Sequence, residues 1–189
     1  MGDLAVPNTE AEAKLRMEIN TNRLRLRPYR LQDLEQVHAF QGDAEALIYE
    51  PWGPNSLVEV RQMIEQTSKM ALAFPWKLEM VIELLDSGHV IGGCRMELPA
   101  TKQRGWATIG YVMQRDFWGR GYATEATNGL IAYARTHSNV IGVRAISDSH
   151  NIPSLRVLEK CGMERVGMIA ETEEVKGRFR DMLKYELRF

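Results

Sequence analysis

Residues 115–126 of this 189-residue chain read Arg-Asp-Phe-Trp-Gly-Arg-Gly-Tyr-Ala-Thr-Glu-Ala, and they fall where an apolar strand pattern gives way to a helical one. Such a turn can hold a pyrophosphate. Gly119 and Gly121 tolerate backbone angles that other residues resist, and their missing side chains let backbone N–H groups approach an anion. The first N–H groups of a helix lack partners within it and favour negative charge. Arg115 and Arg120 add two cations nearby. Glycines also close plain turns, so this spacing alone leaves both readings open.

A second constellation follows within forty residues. Val140 to Ser147 has a strand pattern and runs into Asn151, Ser154 and a helical stretch that ends Lys160-Cys161-Gly162-Met163. Before the glycine turn, Trp106 to Met113 is rich in aromatic and β-branched residues. After it, Ala123, Ala126, Leu130, Ile131 and Ala134 recur at helical spacing. Together these make a β-loop-α-β-α unit, and a right-handed crossover would bring both strand ends to one side of a sheet.

The paired motifs resemble the GNAT N-acetyltransferase superfamily, in particular the branch of ribosomal-protein alanine and serine N-terminal acetyltransferases. In that branch the acetyl-CoA loop reads aromatic, Trp, Gly, basic, Gly, Tyr, Ala, Thr, Glu, Ala, as Phe117 to Ala126 do here. The preceding strand ends Ile-Gly-Tyr, here Ile109-Gly110-Tyr111. The later helix opens with Asn and Ser and closes with Lys, Gly and a large apolar residue, here Asn151, Ser154, Lys160, Gly162 and Met163. The resemblance spans residues 22–189. It implies an α/β fold with a mixed, mostly antiparallel central sheet of about seven strands, about four flanking helices and a splayed strand pair.

It also implies roles. The backbone of Val112 and Met113 would bind the pantetheine and polarise the acetyl carbonyl. Trp118, Gly119, Arg120, Gly121, Tyr122, Ala123 and Thr124 would hold the pyrophosphate of acetyl-CoA, with Asn151 and Ser154 near the sulfur. Many members carry a tyrosine acid seven residues after the Asn151 position, where this chain has Leu158; in the ribosomal-protein branch the serine at the Ser154 position has that role, so the resemblance makes Ser154 the candidate acid. The glutamate that often precedes Ile-Gly-Tyr is replaced by Ala107-Thr108. Glu97, Asp148, His150 and Glu50 remain as base candidates, or ordered water does that work. The expected reaction is direct transfer of an acetyl group from acetyl-CoA to a primary amine, a protein N-terminal α-amine ahead of a small molecule such as an antibiotic or polyamine. A non-catalytic acyl-CoA-binding module is the alternative of another class, and the missing tyrosine and glutamate are what favour it.

Tyr49-Glu50-Pro51-Trp52-Gly53-Pro54 sets an aromatic pair around rigid bends. Glu50 and Trp52 are therefore acceptor-site candidates, with a packed loop anchor as the alternative. Composition bounds the partners. Formal net charge is −1 and 44% of residues are hydrophobic, which allows a sizeable core and provides no global field for nucleic acid or an anionic membrane. No apolar run is long enough to span a bilayer and the polar start lacks a signal-peptide core, so a cytoplasmic protein, monomer or homodimer, is expected. Cys94 and Cys161 have no ligand partners at metal spacing and read as core and helix-end residues.

These sites need positioning elements, and the chain reads as one domain over 1–189. Residues 1–21 read as loosely ordered, with a helical turn or two over Ala13 to Ile19. Arg23-Leu24-Arg25-Leu26-Arg27 alternates as a half-buried first strand, its arginines on a solvated face. Leu31 to Phe40 has helical spacing, and Ser56 caps a second helix with Val58, Val60, Ile64 and Met70 among its apolar positions. Asp86-Ser87-Gly88 reads as a hairpin turn between Trp76–Leu85 and His89–Leu98. Arg165 to Ala170 and Phe179 to Phe189 read as the last strands, joined by a charged hairpin.

Overall fold

The computed structural model describes residues 17–74, 76–100 and 103–189. Their sheet contains eight strands: β1 (Ile19–Asn20), β2 (Leu24–Pro28), β3 (Lys77–Leu84), β4 (Val90–Glu97), β5 (Gly105–Met113), β6 (Val140–Asp148), β7 (Glu164–Val175) and β8 (Arg178–Arg188). Their order is β1-β2-β3-β4-β5-β6-β8-β7. Every neighbouring pair is antiparallel except β5 with β6. Four α-helices cover it: α1 (Leu34–Gln41), α2 (Leu57–Ala73), α3 (Tyr122–Arg135) and α4 (Ile152–Lys160). The strand beyond the expected seven is β1. Ile19 pairs with Leu26 where a helical turn is expected, and residues 13–16 of that turn lie outside the described residues.

Alternation along the strands separates two apolar layers. Met80 and Ile82 join Leu24, Leu26, Ile109, Leu130 and Leu158 beneath α3 and α4. Val81 joins Tyr29, Val37, Phe40, Val60 and Ile64 beneath α1 and α2. Each fully buried side chain of this kind contributes ~1.5–3 kcal/mol of transfer free energy. Ser56 starts α2 with a capping box: its hydroxyl accepts from the Glu59 N–H while the Glu59 carboxylate takes the Ser56 N–H. Val58 and Met70, expected on the apolar face, are exposed, so α2 buries only a narrow stripe.

Arg27 departs from the expected solvated face. It is 2% exposed, its guanidinium bonds both Asp33 oxygens at 2.7 and 2.9 Å, and its Nε donates to Glu83 at 2.6 Å. Burial by itself would lower its pKa, yet the two carboxylates more than offset that and raise it. Asp33 also accepts the Arg30 N–H at 2.8 Å. That inward turn makes Leu31–Asp33 a 3-10 segment and delays α1 to Leu34, leaving Leu31 half-exposed.

The parallel pair shapes the site. Register pairs join β5 and β6 only from Gly105–Val140 to Thr108–Arg144. Beyond that seam β5 stays paired with β4 up to Met113, and β6 with β8 up to Asp148, while their facing edges part. The splay expected from the resemblance is therefore present as a gap between Ile109–Met113 and residues 145–148.

Candidate active site

The gap opens into a cleft of about 1490 Å³ lined by both diverging edges, the glycine turn, the start of α4, and residues 45–55. Ladder geometry decides which backbone groups face it. The Gln114 N–H donates to the Ile91 carbonyl. By antiparallel alternation Val112 and Gly110 also turn their backbone toward β4, and Tyr111 and Met113 turn theirs toward the gap. The Met113 carbonyl already accepts the Trp118 indole N–H at 2.9 Å, which ties the glycine turn to the strand end.

Gly119 and Gly121 have φ of +73° and +80°, and a Cβ built at Gly119 meets nothing within 4 Å. These glycines serve backbone conformation and open space rather than packing. Gly121 precedes α3 without a side-chain cap, and the next backbone donor, Glu125 N–H, reaches only back to the Gly121 carbonyl. The N–H groups of Tyr122, Ala123 and Thr124 thus begin the helix beside the cleft in a region that suits an anion.

The cations around this turn are unequal. Arg115 is held by Asp43 at 2.5 Å and by Glu45, which lowers the Asp43 pKa and raises that of Arg115. Arg120 lies over the Phe117 ring at 5.4 Å. A third cation, Arg23, sits above Tyr122 at 4.4 Å, bonds Glu125 at 2.6 Å and donates to the Arg120 carbonyl. Only long-range packing of β2 on α3 reveals Arg23; its alternating strand pattern carries no such signal.

Across the gap, Asn151 caps α4 by accepting the Ser154 N–H at 3.2 Å. The Ser154 Oγ lies 3.1 Å from the Tyr111 hydroxyl, a contact between β5 and the first turn of α4. Burial pushes the Tyr111 pKa up to about 12, against a smaller lowering by its Ser154 bond, so the phenol keeps its proton. Leu158, at the position where the resemblance expects a tyrosine, is buried in the core. Tyr111 was legible only as part of Ile-Gly-Tyr; its pairing with Ser154 depends on the splay.

The carboxylates fall in different places. Asp148 is fully buried and takes the His150 N–H at 2.7 Å and the Arg180 guanidinium at 2.8 Å, so it clamps β6 to β8. His150 is largely exposed beside it, 3.2 Å from the same carboxylate. Glu97 pairs with Lys77 at 3.6 Å near the far end of β4, four register positions from the Val112 level, or ~13 Å along the strand. The structure does not bring it to the splay. Glu50 and Trp52 do line the cleft. Burial raises the Glu50 pKa, while Arg95, the Trp52 hydrogen bond and Lys176 oppose the rise. Glu79, on the cleft floor, is raised the same way: it keeps solvent contact by area, but the surrounding walls remove water from most directions.

The β7–β8 turn closes this end. Lys176 Nζ donates to the Leu47 carbonyl at 2.7 Å, and Arg180 lies 5.4 Å from the Tyr49 ring. Cys94 and Cys161 are buried free thiols, with burial raising both pKa values, that of Cys161 to about 11. Among the described residues no group of three or more His, Cys, Asp or Glu side chains could hold a metal ion, and no helix is long and apolar enough to cross a membrane.

A sheet that parts beside an uncapped, glycine-turned helix start is the arrangement that the resemblance to acyl-CoA-dependent acyltransferases implies, and comparison with known proteins supports that assignment. The family model described as an acetyltransferase (GNAT) domain matches residues 23–164. The chain belongs to the GNAT acetyltransferase family and is an acetyl-CoA-dependent N-acetyltransferase. It is 29% identical over 168 residues to the uncharacterized N-acetyltransferase p20 of Bacillus licheniformis, covering 88% of this chain and 93% of p20. The fold is similar to that of the microcin C7 self-immunity acetyltransferase MccE in complex with acetyl-CoA and AMP, at TM-score 0.78, 19% identity, and coverage of 89% and 94% of the two chains. It is equally similar to RimL, a ribosomal L7/L12 α-N-protein acetyltransferase in complex with coenzyme A, at TM-score 0.78, 18% identity, and coverage of 91% and 98%.

Proposed function

We propose that the enzyme acetylates the N-terminal α-amine of a protein or peptide, with Ser154 as the acid for the departing thiolate. The observation that carries the acid assignment is the Ser154–Tyr111 hydroxyl pair, which joins β5 to the start of α4 in the cleft that the glycine turn also lines, and the acceptor class rests on the resemblance to the ribosomal-protein branch. In this reading acetyl-CoA lays its pyrophosphate on the N–H groups of residues 118–123, assisted by Arg120 and Arg23. Its pantetheine runs between β5 and α4 toward the backbone of Tyr111 and Met113; Val112, expected from the resemblance to share this role, spends its backbone groups on β4. Glu50, whose raised pKa brings a carboxylate closer to neutrality, takes the proton of the incoming ammonium directly or through water. The amine then attacks the thioester carbonyl, the C–S bond breaks, the thiolate takes the Ser154 proton, and the second proton of the former amine, lost as the amide forms, returns to the serine directly or through water. In this reading the protonated Tyr111 hydroxyl, which also reaches the Ser154 carbonyl at 3.4 Å, donates to Ser154 Oγ and leaves the serine proton free to point at sulfur.

The first test is thermal unfolding with acetyl-CoA. A ligand at a hundred times its Kd adds ~2.7 kcal/mol, a rise of roughly 5–10 °C for a chain of this size. A rise that ATP and NAD do not reproduce supports the cofactor placement, and no rise at saturating acetyl-CoA overturns it. A screen of N-terminal peptides against free small amines then identifies the acceptor; turnover confined to antibiotics or polyamines would move the assignment to a small-molecule acetyltransferase.

Ser154→Ala is expected to lower kcat by roughly 100-fold with little change in acetyl-CoA affinity, in line with general-acid contributions of about 10² to 10⁴. Tyr111→Phe keeps the packing and is expected to lower kcat by a smaller factor. The double variant is expected to match Ser154→Ala, since Tyr111 acts through the serine. Steady-state kinetics check all three, and an unchanged kcat in Ser154→Ala would reduce that residue to a helix-turn contact.

A further inference from the structure

Arg95 stands on β4 between its ladder partners Glu79 on β3 and Gly110 on β5, which share its face of the sheet. Its side chain lies across Gly110, where an added Cβ would come within 3.0 Å of the Arg95 Nε. The glycine of Ile-Gly-Tyr thus leaves the floor of the cleft open for a guanidinium.

Three other arginines that border the sheet or the cleft close on carboxylates. Arg27 meets Asp33 and Glu83, Arg23 meets Glu125, and Arg115 meets Asp43. Arg95 does not. Among the described residues its side chain makes no hydrogen bond or ion pair, although Glu50 and Glu79 both lie within its field and all three line the same cleft. A cation and two carboxylates that feel one another across a concavity without touching leave their hydrogen-bonding capacity open to a ligand bearing both signs.

We infer that the acceptor carries a carboxylate close to its reacting amine, and that Arg95 binds this carboxylate while the amine lies toward Glu50. The inference rests on the acetyl-acceptor reading above and narrows its substrate class. Gly110 stands two register positions from Val112, so the Arg95 site is ~7 Å along the strand from the level assigned to the acetyl carbonyl. That spacing suits an acidic side chain at the first or second position of a peptide.

The test uses C-terminally amidated tetrapeptides, Ser-Glu-Ala-Ala, Ser-Gln-Ala-Ala and Ser-Lys-Ala-Ala, together with spermidine, each assayed by coenzyme A release. The wild-type enzyme is expected to prefer the glutamate peptide over the glutamine peptide by roughly 10-fold or more in kcat/KM, mainly through KM, as for a charge-assisted hydrogen bond. Arg95→Gln is expected to erase that preference, and Arg95→Glu to shift it toward the lysine peptide. Arg95 is solvent-exposed, so both variants should fold and keep the acetyl-CoA thermal shift. Equal rates for all three peptides, or a preference that survives in Arg95→Glu, would overturn the inference while leaving peptide acetylation intact. Turnover of spermidine alone would overturn both the inference and the peptide reading. No coenzyme A release from any amine, in an enzyme still stabilised by acetyl-CoA, would overturn the inference and leave the cofactor placement standing.

Discussion

Gly121→Val is expected to weaken acetyl-CoA binding at least 100-fold and to abolish the thermal shift that the cofactor gives the wild-type protein. Gly121 holds φ at +80° just ahead of α3, a conformation that costs a β-branched residue about 1–2 kcal/mol or more. Its added Cβ would meet only Arg23, at 3.6 Å, so the protein itself has room for the new side chain. That room is the approach to the N–H groups of Tyr122, Ala123 and Thr124, where the pyrophosphate is assigned. Strain and blockade can be separated. Gly88 has φ +70° in the β3–β4 turn with nothing within 4 Å of an added Cβ, so Gly88→Val imposes similar strain away from the cleft. Both variants should unfold at lower temperature, and only Gly121→Val should lose its response to acetyl-CoA. A Gly121→Val protein that acetyl-CoA still stabilises fully would refute the cradle.

The largest loss of stability is expected at Asp33. Asp33→Ala should cost about 3–5 kcal/mol, because it leaves a guanidinium that is 2% exposed with half of its partners gone. It also strands the Arg30 N–H, which the same carboxylate accepts. Urea unfolding measures the effect, and a loss below about 1 kcal/mol would mean that water or Glu83 takes over the pairing. Arg25→Ala is the comparison: that side chain is over a third exposed and meets Glu83 at 3.3 Å, so its loss should cost about 1 kcal/mol or less.

The contrast between Arg27 and its strand neighbours shows what alternation can and cannot reveal. Period-two spacing correctly set Leu24 and Leu26 on a buried face, but it made the three arginines equivalent, and tertiary packing separates them. Asp33, six residues on at a helix approach, and Glu83, within the apolar run Val81–Leu84, together enclose Arg27, whereas Arg25 shares Glu83 from a partly exposed position. An acidic residue within Val81-Ile82-Glu83-Leu84 was the available signal. The glycine turn, the Ser56 cap and the Asp86–Gly88 hairpin were legible because each is a local arrangement of a few residues with its own backbone chemistry. β1 escaped because two residues carry too little pattern to distinguish a strand from a helical turn. The Tyr111–Ser154 and Arg95–Gly110 contacts escaped for another reason: they join segments brought together by the splay or by strand register, and neither geometry is a property of one stretch of chain.

Mechanically, the sheet consists of two blades riveted at one end. Four residues of β5, from Gly105 to Thr108, hold the β1-to-β5 blade to the β6-β8-β7 blade, and about five more run free beyond the rivet. With ~3.3 Å of rise per residue the free length is about 16 Å, so a turn of only a few degrees at the rivet moves the tips by about 1 Å. A misplacement of that size can cost a reaction about 100-fold. Side chains at the rivet, such as Ala107 and Val143, therefore set the gape of the tool although neither lines the cleft.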